Sequence, residues 1–172
     1  LYFKIITMKK IFLLTILFSS FIFLQAQNII PITHAGKKYE VLDMTSKGKV
    51  SWGGYDEIAL DAAKSNTNGD ANTKAIVAAV GNNSGYDGKP YAARLCNEAI
   101  AGSKEDWYLP AKDETDAIYA FKDKFAVEER GTIWSSTEAN GTQAVTKYWG
   151  TGVFYNVQKV DEYHFVCIRK AE

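Results

Sequence analysis

Two cysteines, two histidines and a crowded set of carboxylates are the residues of this chain with chemistry to offer, and their spacing narrows what that chemistry can be. His34 and His164 are the only histidines, and neither belongs to the His-Glu-x-x-His pattern that holds zinc on one helix face. No Gly-x-Ser-x-Gly elbow, phosphate-cradling glycine loop or dinucleotide fingerprint occurs. The sequence therefore reads as non-catalytic. Asp113, Glu114 and Asp116 crowd the first turn of a helical stretch, where the helix dipole favours negative charge, so helix stabilisation explains them without acid–base work. Asp106, just ahead of Trp107, reads as a structural residue that holds loop amides.

The remaining polar groups suit binding. Asn66, Asn68, Asp70 and Asn72 alternate in a turn-rich stretch and could supply oxygen ligands to calcium, although solvated turn residues are the far commoner explanation of such a pattern. The sequence demands no metal and no other cofactor. Of the four tryptophans, Trp52, Trp107 and Trp134 are expected in the core, while Trp149 stands at a strand end beside Gly150-Thr151-Gly152 with Tyr148 and Tyr155 near it. Glu138 and Asn140 supply polar groups, and Trp149 and Tyr155 supply flat apolar faces. Together they suit a sugar's hydroxyl rim and C–H face, so ligand contacts are expected between Glu138 and Tyr163. The competing reading is ordinary cross-strand packing of Trp149 on Tyr155.

Composition sets the compartment and excludes one class of partner. With 172 residues, 47% of them hydrophobic, the chain suits one domain with its own core. From Met8, a Met-Lys-Lys start, an apolar run over residues 11–24 and a Leu-Gln-Ala site at 24–26 read as a secretory signal peptide, with residues 1–7 upstream of it. The run is too short for a spanning helix of about 20 residues, so a permanent membrane anchor is not expected. Loss of the leader removes Lys4, Lys9 and Lys10 and leaves 17 basic residues against 20 acidic. A mildly acidic exported chain without a basic stripe is not a nucleic-acid binder. The expected location is secreted, periplasmic or on the cell surface.

These residues must be positioned by elements that the pattern announces. Trp107, Tyr108, Leu109 and Pro110 form an apolar anchor, after which Ala117, Ile118, Phe121 and Phe125 recur at helical spacing. Earlier, residues 28–36 read as linker, 38–44 and 49–52 as short strands, and 56–65, 73–80 and 91–101 as helices, with a glycine-rich loop over 81–89. Later, residues 132–136, 143–149, 152–159 and 163–169 read as a meander of strands. The expected division is residues 1–26 as upstream residues and signal peptide, 27–38 as linker and 39–172 as one α+β domain, its helices on one side of a mainly antiparallel sheet. Cys96 falls on the inner face of its helix, and Cys167 shares a strand face with Tyr163 and Phe165. An exported chain with two inward cysteines is a disulfide candidate, two buried thiols being the alternative.

Several blocks in order carry a family resemblance: residues 69–76 (Gly-Asp-Ala-Asn-Thr-Lys-Ala-Ile), 92–96 (Ala-Ala-Arg-Leu-Cys), 106–110 (Asp-Trp-Tyr-Leu-Pro), 133–138 (Ile-Trp-Ser-Ser-Thr-Glu) and 165–169 (Phe-Val-Cys-Ile-Arg). In these the chain resembles the bacterial Lcl C-terminal domain family from about Tyr39 onward. The resemblance implies a C-type-lectin-like fold, in which a helix cysteine is commonly tied to one in the last strand, as Cys96 and Cys167 would be. It implies an exported binding module for glycan or protein. The fold is shared with formylglycine-generating enzymes, but these use a reactive cysteine pair near the C-terminal end, where this chain has Cys167 alone. A structural part in a surface assembly is the third reading. Against the family pattern, Ala111 stands where Ser or Thr usually caps the helix, leaving Glu114 half a capping box and an expected loss of about 1 kcal/mol. Thr115 stands where Leu is usual.

Overall fold

The computed structural model describes residues 28–54, 60–81 and 88–171. The leader at 1–26, the start of the helix expected over 56–65, and most of the loop expected over 81–89 lie outside them.

The segment expected to be a linker is instead the first strand, which moves the domain boundary upstream to at least Asn28. β1 (Ile29–His34) and β2 (Lys37–Asp43) form a hairpin joined by Ala35 and Gly36, both at positive φ (49° and 76°), the geometry of a tight two-residue turn whose twist matches that of the strands. β2 then pairs on its other side with the last strand, β6 (Val166–Lys170), giving the order β1-β2-β6. The meander is therefore three strands, not four. β3 (Thr132–Glu138), β4 (Gln143–Tyr148) and β5 (Phe154–Gln158) form a separate antiparallel sheet in the order β3-β4-β5. Residues 49–52 make only an isolated bridge, Val50 to Tyr163, where a strand was expected.

The helices flank the first sheet on both faces, against the expectation of one side. The reason lies in β6, where Val166 and Ile168 are buried on one face and Cys167 on the other. A strand buried on both faces needs cover on both. α3 (Lys112–Tyr119) contributes Ala117 and Ile118 to the core that contains Tyr39, Val41, Val166 and Ile168. α1 (Gly69–Val80) and α2 (Ala92–Asn97) contribute Ile76, Val80, Ala93 and Cys96 to the core that contains Leu42, Phe165 and Cys167. Cys96 and Cys167 form a disulfide with a Cα–Cα distance of 5.3 Å, across 71 residues. Closing a loop of that length stabilises by about 4 kcal/mol on the chain-entropy model.

Around the Asp-Trp-Tyr-Leu-Pro stretch the helix N-termini are knotted together. Ala111 offers no side-chain cap, but the orphan amides of α3 find tertiary partners. Lys112 donates to Thr137 Oγ1 at 2.9 Å and Asp113 to the Asn66 carbonyl at 2.8 Å. The expected capping deficit is thus made good from β3 and from the segment before α1. Thr115 is fully buried and donates to the Lys112 carbonyl at 2.6 Å, so its hydroxyl is satisfied within its own helix. α3 is shorter than expected, ending at Tyr119. A brief 3-10 turn at Lys122–Lys124 then delivers Phe125 against Trp149, the rings edge-on with centroids 6.0 Å apart.

Candidate functional site

A groove opens where the β1–β2 hairpin meets the N-terminal ends of α1 and α3. Lys37, Tyr39, Thr67 and Glu114 line its shared floor and walls. One arm reaches His34, Asp113 and Ala117; the other, of about 350 Å³, reaches Lys38, Lys170 and Ala171. Tyr39 is placed by the strand alternation that also buries Val41. Lys170 stands beside it because β2 and β6 pair with Tyr39 opposite Lys170.

The floor is polar and held rigidly. Glu114 is 4% exposed, and its carboxylate accepts from the Gly69 amide (3.1 Å), the Ala111 amide (2.9 Å) and the Tyr108 hydroxyl (3.0 Å). Two helix N-termini thus face one carboxylate, which stabilises a buried acidic group that makes no ion pair among the described residues. Burial, and then the Glu114 charge, push the Tyr39 and Tyr108 hydroxyls above the usual phenol pKa, so both stay neutral. No ion pair engages Lys37, Lys38 or Lys170 among the described residues. The groove therefore combines three ammonium donors on its rim with a phenol and a carboxylate on its floor, an arrangement that recognises hydroxyls and other polar groups.

The four residues expected to contact ligand are not brought together. Glu138 is buried and ion-paired with Lys159 at 2.5 Å, both side chains being fully inaccessible, while the Lys159 ammonium lies 4.6 Å from the centre of the Trp52 ring. Trp149 is 3% exposed, edge-on to Tyr119 and Phe125, and belongs to the core. Neither can present a face to a ligand. Asn140 is exposed, but its side chain shapes the β3–β4 turn by accepting from the Thr142 and Gln143 amides at 3.0 Å. Tyr155 is open, at 51%, and its aromatic neighbour is Tyr148, not Trp149.

The residues assigned structural roles are in the interior: Trp107 at 2%, Leu109 and Trp134 at 0%, and Pro110 buried. Trp134 Nε1 donates to the Val50 carbonyl and Trp52 Nε1 to the Ser135 carbonyl, both at 2.7 Å, a reciprocal clasp of β3 on the 50–52 segment. Asp106 does a different structural job from the one expected. Instead of loop amides it holds Arg169 through two hydrogen bonds, 2.6 and 3.0 Å, while Arg169 also reaches Glu40 at 2.7 Å. The Arg169 guanidinium keeps the Asp106 carboxyl below its usual range.

Three of the four side chains proposed for calcium between Asn66 and Asn72 are engaged in the fold. Asn68 caps α1 at the Ala71 amide, Asp70 pairs with Lys74, and Asn72 bonds Ser65 in both directions. Among the described residues no group of three or more His, Cys, Asp or Glu side chains converges.

The groove escaped sequence reasoning because the first strand and the turn of the hairpin that forms one wall lie in the presumed linker. A signal was present: an Ile-Ile-Pro-Ile-Thr-His run, then Ala-Gly, then an alternating Tyr39, Val41 pattern is a strand, a turn and a strand.

No protein-family model matches this chain, and no curated protein matches it.

Proposed function

We propose that this chain is an exported, non-catalytic binding module of the C-type-lectin-like class, recognising a glycan or a protein at the cell surface or outside the cell through the groove over Tyr39 and Glu114. The observation that carries the reading is the groove itself, a polar cleft whose rim lysines make no ion pair among the described residues while its floor is held by helix ends. Unspent donors above a preorganised floor suit a hydroxyl-rich ligand, which favours a glycan. The disulfide supports export, since such bonds persist in oxidising compartments. With Cys96 and Cys167 joined to each other, their sulfurs serve the fold. Among the described residues no helix is long and apolar enough to cross a membrane.

A glycan array run on the disulfide-bonded protein with and without calcium tests the proposal. Tyr39→Phe and the double variant Lys37→Ala, Lys170→Ala are expected to lose binding while keeping the wild-type melting temperature. Binding that survives all three changes would move the site elsewhere.

A further inference from the structure

The two sheets have four outer edges, and three of them are guarded. On β1 the backbone bond from Asp43 to Asn28 sets the ladder alternation so that Pro31 faces outward, where the missing N–H offers no partner a donor. On β6, Tyr108 covers the edge by exchanging both backbone hydrogen bonds with Ile168 at 2.9 Å. On β3, Trp134 donates to the His164 carbonyl and Ser136 to the Pro110 carbonyl.

β5 is the exception. The bonds from Tyr148 to the Val153 carbonyl and from Lys159 to the Thr142 carbonyl fix its alternation, so Phe154 and Asn156 turn their N–H and C=O groups away from β4. Residues 151–158 carry no charge and no proline, and Val153 and Tyr155 are 48% and 51% exposed. Native proteins blunt such an edge with lysine, proline or a cover; the strand carries neither lysine nor proline, and no strand or loop pairs with it on that side among the described residues.

We propose that β5 is a self-association edge on which a second copy of this chain pairs antiparallel about a two-fold axis at Asn156. The alternation makes Asn156 opposite its own copy a hydrogen-bonded pair, with Phe154 opposite Gln158 on either side. Tyr155 then lies against Val157 of the second copy in a close, non-hydrogen-bonded pair, an aromatic on a β-branched residue, twice by symmetry. Self-pairing is the occupant favoured because the strand residues themselves are uncharged, so none of them meets a like charge in the second copy; the nearest ammonium groups, of Lys147 and Lys112, are held over the Phe154 ring at 3.9 and 4.9 Å. The contact is small beside the roughly 1,200–2,000 Å² of stable complexes, so the dimer forms and dissociates with concentration.

Sedimentation velocity over a concentration series, with amide hydrogen exchange, tests this. The wild-type mass is expected to rise toward twice the monomer's, with protection of the Phe154 and Asn156 amides rising in step. Asn156→Lys places two ammonium groups across the axis, and Asn156→Pro removes an N–H that β4 does not use. Both are expected to leave a monomer with an unchanged melting temperature. A wild-type chain that stays monomeric up to about 1 mM, the weakest affinity worth the name, overturns the proposal. So does a dimer that survives Asn156→Lys, or a monomer whose β5 edge captures a strand of another protein instead.

Discussion

The backbone amide of Gly69, first residue of α1, donates to the carboxylate of Glu114 in α3 at 3.1 Å, across 45 residues of chain. That bond joins two helix ends over the groove floor, and it requires glycine. A Cβ at position 69 would lie 2.5 Å from Glu114 Oε2 and 2.6 Å from both the Ala111 nitrogen and the Leu109 oxygen, two of these three neighbours being backbone. Gly69→Ala is therefore expected to destabilise by about 1–3 kcal/mol through overpacking. Ordinary helix propensity predicts the opposite sign, a gain of roughly 0.5–1 kcal/mol. A urea titration separates the two.

Glu138 and Lys159 form an ion pair with no access to water. Removing one partner leaves an uncompensated buried charge, so Glu138→Leu or Lys159→Met alone is expected to cost about 3–5 kcal/mol, while the double replacement costs far less. A double-mutant cycle on denaturation midpoints reads the coupling. Additive single effects would show that the charges do not depend on each other.

His164 is buried with neither ring nitrogen hydrogen-bonded, the nearest carboxylate being Glu128 at 3.9 Å. Burial, and then Lys49, hold its pKa below the usual imidazole value, while Glu128 pulls weakly the other way. The unfolded chain thus binds a proton near pH ~6.5 that the folded chain takes up only at lower pH. Stability from this residue is complete above that value and is lost as pH falls through the window below it. Melts of wild type and His164→Leu between neutral and mildly acid pH should show a steeper decline for the wild type. Parallel declines would assign the pH dependence to other groups.

Trp107 and Trp149 are both core residues, one in each hydrophobic cluster. Trp107→Ala and Trp149→Ala are each expected to cost about 3–5 kcal/mol. Tyr155→Ala, at an open position, should stay within about 0.5 kcal/mol in dilute monomer. Thermal melts suffice, and a Trp149 variant with an unchanged midpoint would place that ring at the surface.

Much of the fold was legible locally. Helical spacing after Pro110 marked α3, the two-residue alternation of Phe165 and Cys167 marked an inward cysteine, and Cys96 on the inner side of its helix marked the other. These are properties of neighbours a few residues apart, and side-chain periodicity is set at that range. The candidate site was less legible. Glu138, Trp149 and Tyr155 satisfy every local criterion for a sugar-binding surface, yet two of the three face inward, because position near a turn does not say which face the opposite elements cover. Residues 29–34 read as linker but form a strand, and Pro31 is compatible with it because on an edge strand its missing N–H costs nothing.

The sequence by itself determined the helical stretch after Pro110, the late strands over residues 132–158, and that both cysteines point inward. Only the tertiary structure decided that β6 leaves the late meander to lie beside β2, and that decision creates the groove, since it sets Lys170 against Tyr39. It also decided that Glu114 closes two helix ends and that Glu138 is buried on Lys159. The reason is range: periodicity is written within a turn or a strand, but Tyr39 meets Lys170, and Gly69 meets Glu114, only after chain entropy has been overcome by burying both faces of one sheet.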